Sequence, residues 1–107
     1  CPIKTTKSWK SIFKKLNFLV EPNNYQSFWS NFLNWEQDDL NFVTEKGEQD
    51  KIFIDIGAWI GPYTLIAASM GMKVYAFEPD KVAFQELKKN IELNRFKYKP
   101  EIFNYGL

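Results

Sequence analysis

The 107-residue chain has no histidine, a single cysteine and only five glycines. Without histidine, the commonest general base and the commonest metal ligand are both missing, so acid–base work in this stretch falls to other residue types. Cys1 alone forms neither an intramolecular disulfide nor a thiolate metal cluster; this fits a reducing, cytoplasmic setting and leaves no metal site to expect. No run approaches the roughly 20 apolar residues that cross a bilayer, and the start lacks the apolar core of a signal peptide. An excess of one charge is lacking as well. The 14 basic and 13 acidic residues sum to +1, too weak a field to steer a nucleic acid, and no nucleic-acid partner is expected. The chain begins on Cys rather than Met, which suggests a trimmed or partial chain.

What remains is a globular composition, 45% hydrophobic and 25% charged, enough for one small core. From Cys1 to Val20 there are five lysines and no acid, whereas from Glu21 to Asp50 there are seven acids and one base, Lys46. In the first of these stretches Trp9, Ile12, Phe13, Leu16, Leu19 and Val20 recur at helical spacing opposite the lysines, which predicts an amphipathic helix over Lys7 to Phe18. Such a helix either packs on its own domain with a solvated lysine face or meets a membrane surface or a partner. Past Pro22, the spacing of Tyr25, Phe28, Trp29, Phe32 and Leu33 predicts a second helix, and Trp35 to Thr44 a third. The aromatics here suit core packing better than base stacking, because stacking platforms sit in basic grooves and this segment is acidic.

From Ile52 the pattern changes. "KIFIDIG" reads as a strand, "PYTLIAASM" as a helix stopped at Gly71, "KVYAF" as a second strand and "DKVAFQELKKNIELN" as a helix capped by Asp80, with Phe84, Leu87 and Ile91 on its apolar face. "KPEIFNYGL" supplies a third strand. The expected class is α/β: the N-terminal half of a doubly wound parallel sheet, preceded by two or three helices. This divides the chain into an N-terminal helical segment, residues 1–50, and a partial sheet domain, residues 51–107.

In such sheets ligands lie beyond the carboxyl ends of the strands. Asp55, Gly57 and Gly61 mark the end of the first strand. Pro62 fits the first helical position. Glu78 closes the second strand, where a carboxylate can accept both hydroxyl protons of an adenosine ribose. The glycine spacing is D-x-G-x-x-x-G rather than the G-x-G-x-x-G of a dinucleotide turn, and an acid at that place repels a diphosphate. It suits a ligand carrying a sulfonium and an ammonium, as S-adenosylmethionine does. Against this stand plainer readings: Asp55 as a strand-end acid satisfied by amides, Glu78 as a solvated acid ahead of a capped helix, and Trp59 and Tyr63 as packing residues.

"FIDIGAWIGPYTL" followed by "VYAFEPDKVAFQELKKNIELN" resembles the FkbM-type methyltransferases, a branch of the Rossmann-like, S-adenosylmethionine-dependent class. The likeness covers Lys51 to Leu107 and, more faintly, "WEQDDLNFV". It implies that Asp55, Gly57 and Gly61 shape the methionine end of the pocket, that Glu78 holds the ribose, that Ala58, Trp59 and Tyr63 line the turn, and that Pro79 sits by the adenosine. "NYGL" would approach adenine. Two residues depart from the pattern: Trp59 stands where Asn is commoner, and Pro62 where Tyr or Phe is. The resemblance also implies O-methylation of a sugar or other small hydroxyl acceptor, although no residue here reads the acceptor or serves as an assigned catalytic base. By the same likeness the first strand is central in the whole sheet, so the chain is expected to be a fragment, or to be completed by a second copy or another chain. Two other readings stay open: a fragment of a nicotinamide-dependent oxidoreductase, and a non-catalytic scaffold that keeps the half-fold and binds a partner.

Overall fold

The structure, a computed structural model, describes residues 7–10, 17–21, 23–31, 43 and 45–107. In chain order the elements are strands β1 (Lys7–Lys10) and β2 (Asn17–Val20), a 3-10 turn at Asn23–Tyr25 running into helix α1 (Gln26–Asn31), strand β3 (Ile52–Ile56), helix α2 (Pro62–Ser69), strand β4 (Lys73–Phe77), helix α3 (Lys81–Glu92) and strand β5 (Glu101–Phe103). β3, β4 and β5 form a parallel sheet in that order, with Asp55 level with Ala76, and Phe77 level with Phe103. Strand, helix, strand, helix, strand is the order expected from the alternation of apolar β-branched runs with helical periods.

Each helix is made by local chemistry and then fixed by packing. α2 starts with Pro62 at a position that needs no N–H donor. It ends where the Met72 N–H reaches the Ala67 carbonyl (3.2 Å) and the Gly71 N–H the Ala68 carbonyl (3.0 Å), the paired bonds of a Schellman stop. Thr64, Leu65, Ile66, Ala67 and Ala68 are all buried, so α2 has no solvated stripe: the sheet covers one side, and β2 packs on it as well. α3 opens on Asp80, whose Oδ2 accepts the Ala83 N–H at 2.8 Å. Ala83, Leu87 and Ile91 recur every fourth residue and are buried.

The two faces of the sheet differ. Phe53, Asp55, Val74, Ala76 and Ile102 alternate onto the face beneath the helices. Ile52, Ile54 and Ile56 alternate onto the other and stand 63%, 59% and 64% exposed. The apolar run of β3 therefore has, among the described residues, only one covered face, and β3 pairs with β4 alone.

The amphipathic helix expected over Lys7 to Phe18 is corrected: β1 and β2 are antiparallel strands, with Lys7 level with Val20 and Lys10 with Asn17. Residues 11–16, which carry Ile12, Phe13 and Leu16 of the helical period, lie outside the described residues. The reason shows at β2, where Phe18 and Val20 are buried while Leu19 between them is exposed, a period of two. Asn94 of the segment after α3 completes it. Its Oδ1 accepts the Leu19 N–H (2.7 Å) and its Nδ2 donates to the Leu19 carbonyl (2.8 Å), standing in for a neighbouring strand. The second helix exists as α1, with Phe32 and Leu33 of its expected period outside the described residues, and the third, Trp35 to Thr44, lies outside them except for Val43. Phe18, Val20 and Trp29 share one core with Leu65, Ile66, Leu87 and Ile91.

Candidate functional site

The carboxyl ends of β3 and β4 bring Asp55, Gly57, Trp59 and Glu78 together. The turn after β3 is held on the neighbouring strand: the Gly57 and Ala58 N–H groups both donate to the Phe77 carbonyl, at 2.8 and 3.0 Å. Gly57 has φ +75°, and a Cβ built there meets nothing within 4 Å, so its face of the turn is open to a ligand. Gly61, φ +111°, is glycine for a second reason. A Cβ there would stand 2.8 Å from the Leu87 side chain, so Gly61 lets α3 approach α2 rather than letting a ligand approach the backbone.

Glu78 is nearly buried, and both its carboxylate oxygens are held by the main chain. Oε1 accepts the Trp59 N–H (2.8 Å) and Oε2 the Asp80 N–H (2.7 Å), which leaves a further lone pair on each for a diol. Its position is fixed from behind as well, because the Glu78 N–H donates to the Phe103 carbonyl, and the Asn104 amide donates to the Glu78 and Pro79 carbonyls. The "NYGL" segment is thereby placed at the end of β4, where Tyr105 packs edge-on against Phe77 and exposed Pro79 lies beside Gly106.

Asp55 sits deeper. Its Oδ2 accepts the Thr64 hydroxyl at 2.6 Å, a partner that sequence reading missed and that an acid level with the first turn of the next helix could have signalled. Burial pushes the Asp55 carboxyl above its ordinary range; the Thr64 side-chain and backbone hydrogen bonds pull it back, and the Glu78 charge raises it further. Among the described residues, none of the groups acting on Asp55 is a cation. A positively charged ligand group would supply what is missing.

The other expected residues divide. Ala58 is buried and Tyr63 half-buried against the core, so both support the turn more than they line an opening. Trp59 is 36% exposed and packs on two rings that sequence reading left out of the site, Tyr25 and Phe28. Two clefts, of about 170 Å³ (lined by Ser69, Arg95 and Lys97 among others) and about 390 Å³ (lined by Lys73, Lys97 and Tyr98 among others), lie at the opposite, amino ends of the strands. The site is placed at the carboxyl ends instead, because the open glycine turn and both acids converge there. Among the described residues no group of three or more His, Cys, Asp or Glu could hold a metal ion, and no helix is long and apolar enough to cross a membrane.

No protein-family model matches the chain. It is 36% identical over 55 residues to a ribosomal protein L11 methyltransferase of Helicobacter hepaticus, covering 51% of this chain and 17% of the relative. It is 35% identical over 68 residues to a tRNA (guanine(37)-N(1))-methyltransferase of Leishmania braziliensis, covering 64% of this chain and 9% of the relative. Among solved structures, a SAM-dependent methyltransferase from Agrobacterium tumefaciens superposes with a TM-score of 0.56 at 16% identity, over 97% of this chain and 33% of that one. The Pyrococcus abyssi tRNA (uracil-54, C5)-methyltransferase in complex with S-adenosyl-L-homocysteine gives 0.52 at 22% identity, over 90% and 24%. The fold is thus the Rossmann-like class I fold of S-adenosylmethionine-dependent methyltransferases, and the cofactor expectation agrees with these neighbours. The chain spans under a fifth of the length of the two relatives. The expectation that nucleic acid is excluded is corrected: a relative and a structural neighbour are named for tRNA. A balanced net charge over 107 residues reports only the mean field and does not test a local contact.

Proposed function

We propose that this chain carries the methyl-donor half of an S-adenosylmethionine-dependent methyltransferase, with the donor lying across the carboxyl ends of β3 and β4. The observation that carries this is Glu78, a nearly buried acid whose two oxygens are aimed by the Trp59 and Asp80 amides beside an open glycine turn. The ligand fits the residues present: Glu78 accepts the ribose hydroxyls, buried Asp55 supplies negative potential to the methionine end, and Gly57 admits the ligand to the backbone. Trp59 and Tyr63 border the turn, Ala58 and Gly61 pack beneath it, and Pro79 stands next to the adenosine. When bound, the donor supplies a methyl group already activated by its sulfonium, so the protein's task is alignment and exclusion of water rather than activation.

In this reading residues 51–107 hold the donor and the described residues before them pack on the same core, while further strands, from the rest of a longer polypeptide or from another chain, continue the sheet beyond β3, and the helices that join them cover Ile52, Ile54 and Ile56. The acceptor lies with those strands. The FkbM-type likeness of Asp55–Gly61 and Ala76–Asp80 favours a hydroxyl acceptor; the relatives named for tRNA and a ribosomal protein favour a macromolecular one, and only the latter has support outside the motif. Titration calorimetry with S-adenosylhomocysteine tests the donor site. Binding in the micromolar range is expected, and no heat at millimolar ligand sinks the proposal. Tighter binding of a nicotinamide dinucleotide would favour the oxidoreductase reading instead.

A further inference from the structure

Trp59 is a bulky L-residue at φ +56°, a left-handed conformation that is unfavourable for such residues and persists only where the surroundings impose it. Among the described residues, the Gly61 N–H closes the turn on the Ala58 carbonyl (3.1 Å), and two rings from the N-terminal segment pack on the Trp59 side chain. Phe28 meets Trp59 edge-to-face with centroids 4.7 Å apart and planes at 86°, and Tyr25 does so at 5.6 Å and 90°. Phe28 is itself anchored, packing at 5.1 Å on Trp29, which is fully buried and in turn meets Phe18 of β2 at 6.2 Å. With the indole pinned, φ sets where the Trp59 N–H points relative to the ring. It points at Glu78 Oε1, 2.8 Å away.

We propose that Phe28 and Tyr25 are positioning residues for the nucleoside-binding acid: by packing on the Trp59 ring they hold its backbone left-handed and so aim its N–H at Glu78. The inference rests on the donor-site reading for its ligand, but the link from Phe28 to Glu78 exists without one. It gives the N-terminal segment a part in ligand affinity although none of its residues need touch the ligand. Glycine enters the left-handed region freely, so a glycine at position 59 should make the aromatic support unnecessary.

The test combines amide hydrogen exchange at residue 59 in the unliganded protein with S-adenosylhomocysteine titration. It uses Phe28→Leu, which keeps apolar volume but loses the ring, alone and together with Trp59→Gly. Phe28→Leu is expected to speed exchange at residue 59 about tenfold while amides within α2 and α3 keep their rates, and to weaken ligand binding about three- to tenfold. Whatever affinity the Trp59→Gly protein has, adding Phe28→Leu should not lower it further. Unchanged exchange at residue 59 in Phe28→Leu overturns the proposal, as does an equal loss of affinity in the glycine background, which is what a merely structural role for Phe28 gives. A residue 59 amide that responds as expected in a protein that binds no S-adenosylhomocysteine supports the link and sinks the donor-site reading.

Discussion

At the scale of single residues, the two acids of the candidate site have different surroundings although the sequence presents them alike. Glu78 is satisfied by main-chain amides and faces the opening, and Glu78→Ala should weaken S-adenosylhomocysteine binding by about 1 to 3 kcal/mol in calorimetry. Asp55 is desolvated, with a carboxyl raised above its ordinary range. Between the unfolded value, about 3.9, and that raised value the native state holds more protons than the unfolded one, so stability falls as pH rises through the window and the cost persists above it. Asp55→Asn should flatten this slope in urea midpoints measured against pH, without loss of stability at neutral pH, while lowering donor affinity. In the native protein, affinity for S-adenosylmethionine should rise with pH across the same window, because a cation favours the ionised carboxyl; a flat affinity profile would place the cation away from Asp55. That Asp55 and Glu78 come together at the ends of neighbouring strands beside a glycine turn was legible from their spacing. Their different surroundings were not, because Thr64 and the Trp59 amide meet them only after α2 and β4 have packed.

Among the elements, α3 and the segment that follows it each carry an asparagine that no hydrophobic pattern reveals, Asn90 and Asn94. Asn90 is buried and joins two distant segments: its Oδ1 accepts the Glu21 N–H at 2.9 Å, and its Nδ2 donates to the Ile60 carbonyl inside the glycine turn at 3.0 Å. Asn90→Ala strands both groups and should cost about 2 to 4 kcal/mol, read from chemical denaturation. Asn94→Ala, whose bonds to Leu19 are exposed, should cost less; equal losses would deny the burial argument. The three parallel strands and two helices from Ile52 onward were legible because local preference, caps and periodicity all agree there. The β1–β2 pair was not. Trp9, Ile12, Phe13 and Leu16 fall at helical spacing, and the strand period at Phe18 to Val20 gains its meaning only from the Asn94 amide and the helices it lies against.

At the scale of the whole molecule, one face of the sheet is left uncovered among the described residues. Ile52, Ile54 and Ile56 stand together on it, and Phe77 and Phe103 stack at 4.9 Å alongside. The 107-residue chain on its own should therefore self-associate, and Ile54→Lys should shift its sedimentation toward the monomer without changing its far-ultraviolet circular dichroism. A native chain that sediments as a monomer at high micromolar concentration would show that the face is covered otherwise.

The amino-acid sequence by itself determined the parallel βαβαβ unit, its helix caps, and the placing of an acid and a glycine turn at the end of β3 with a second acid at the end of β4. These are local quantities, fixed by propensity, period and the separation of neighbouring elements in the chain. Tertiary structure alone decided that Gly61 serves Leu87, that residues 17–20 form a strand, and that Tyr25 and Phe28 reach Trp59 across more than 30 residues. Those outcomes depend on which surfaces meet. A one-dimensional pattern records the size and polarity of each side chain, and the partner that gives them their role is supplied by the fold.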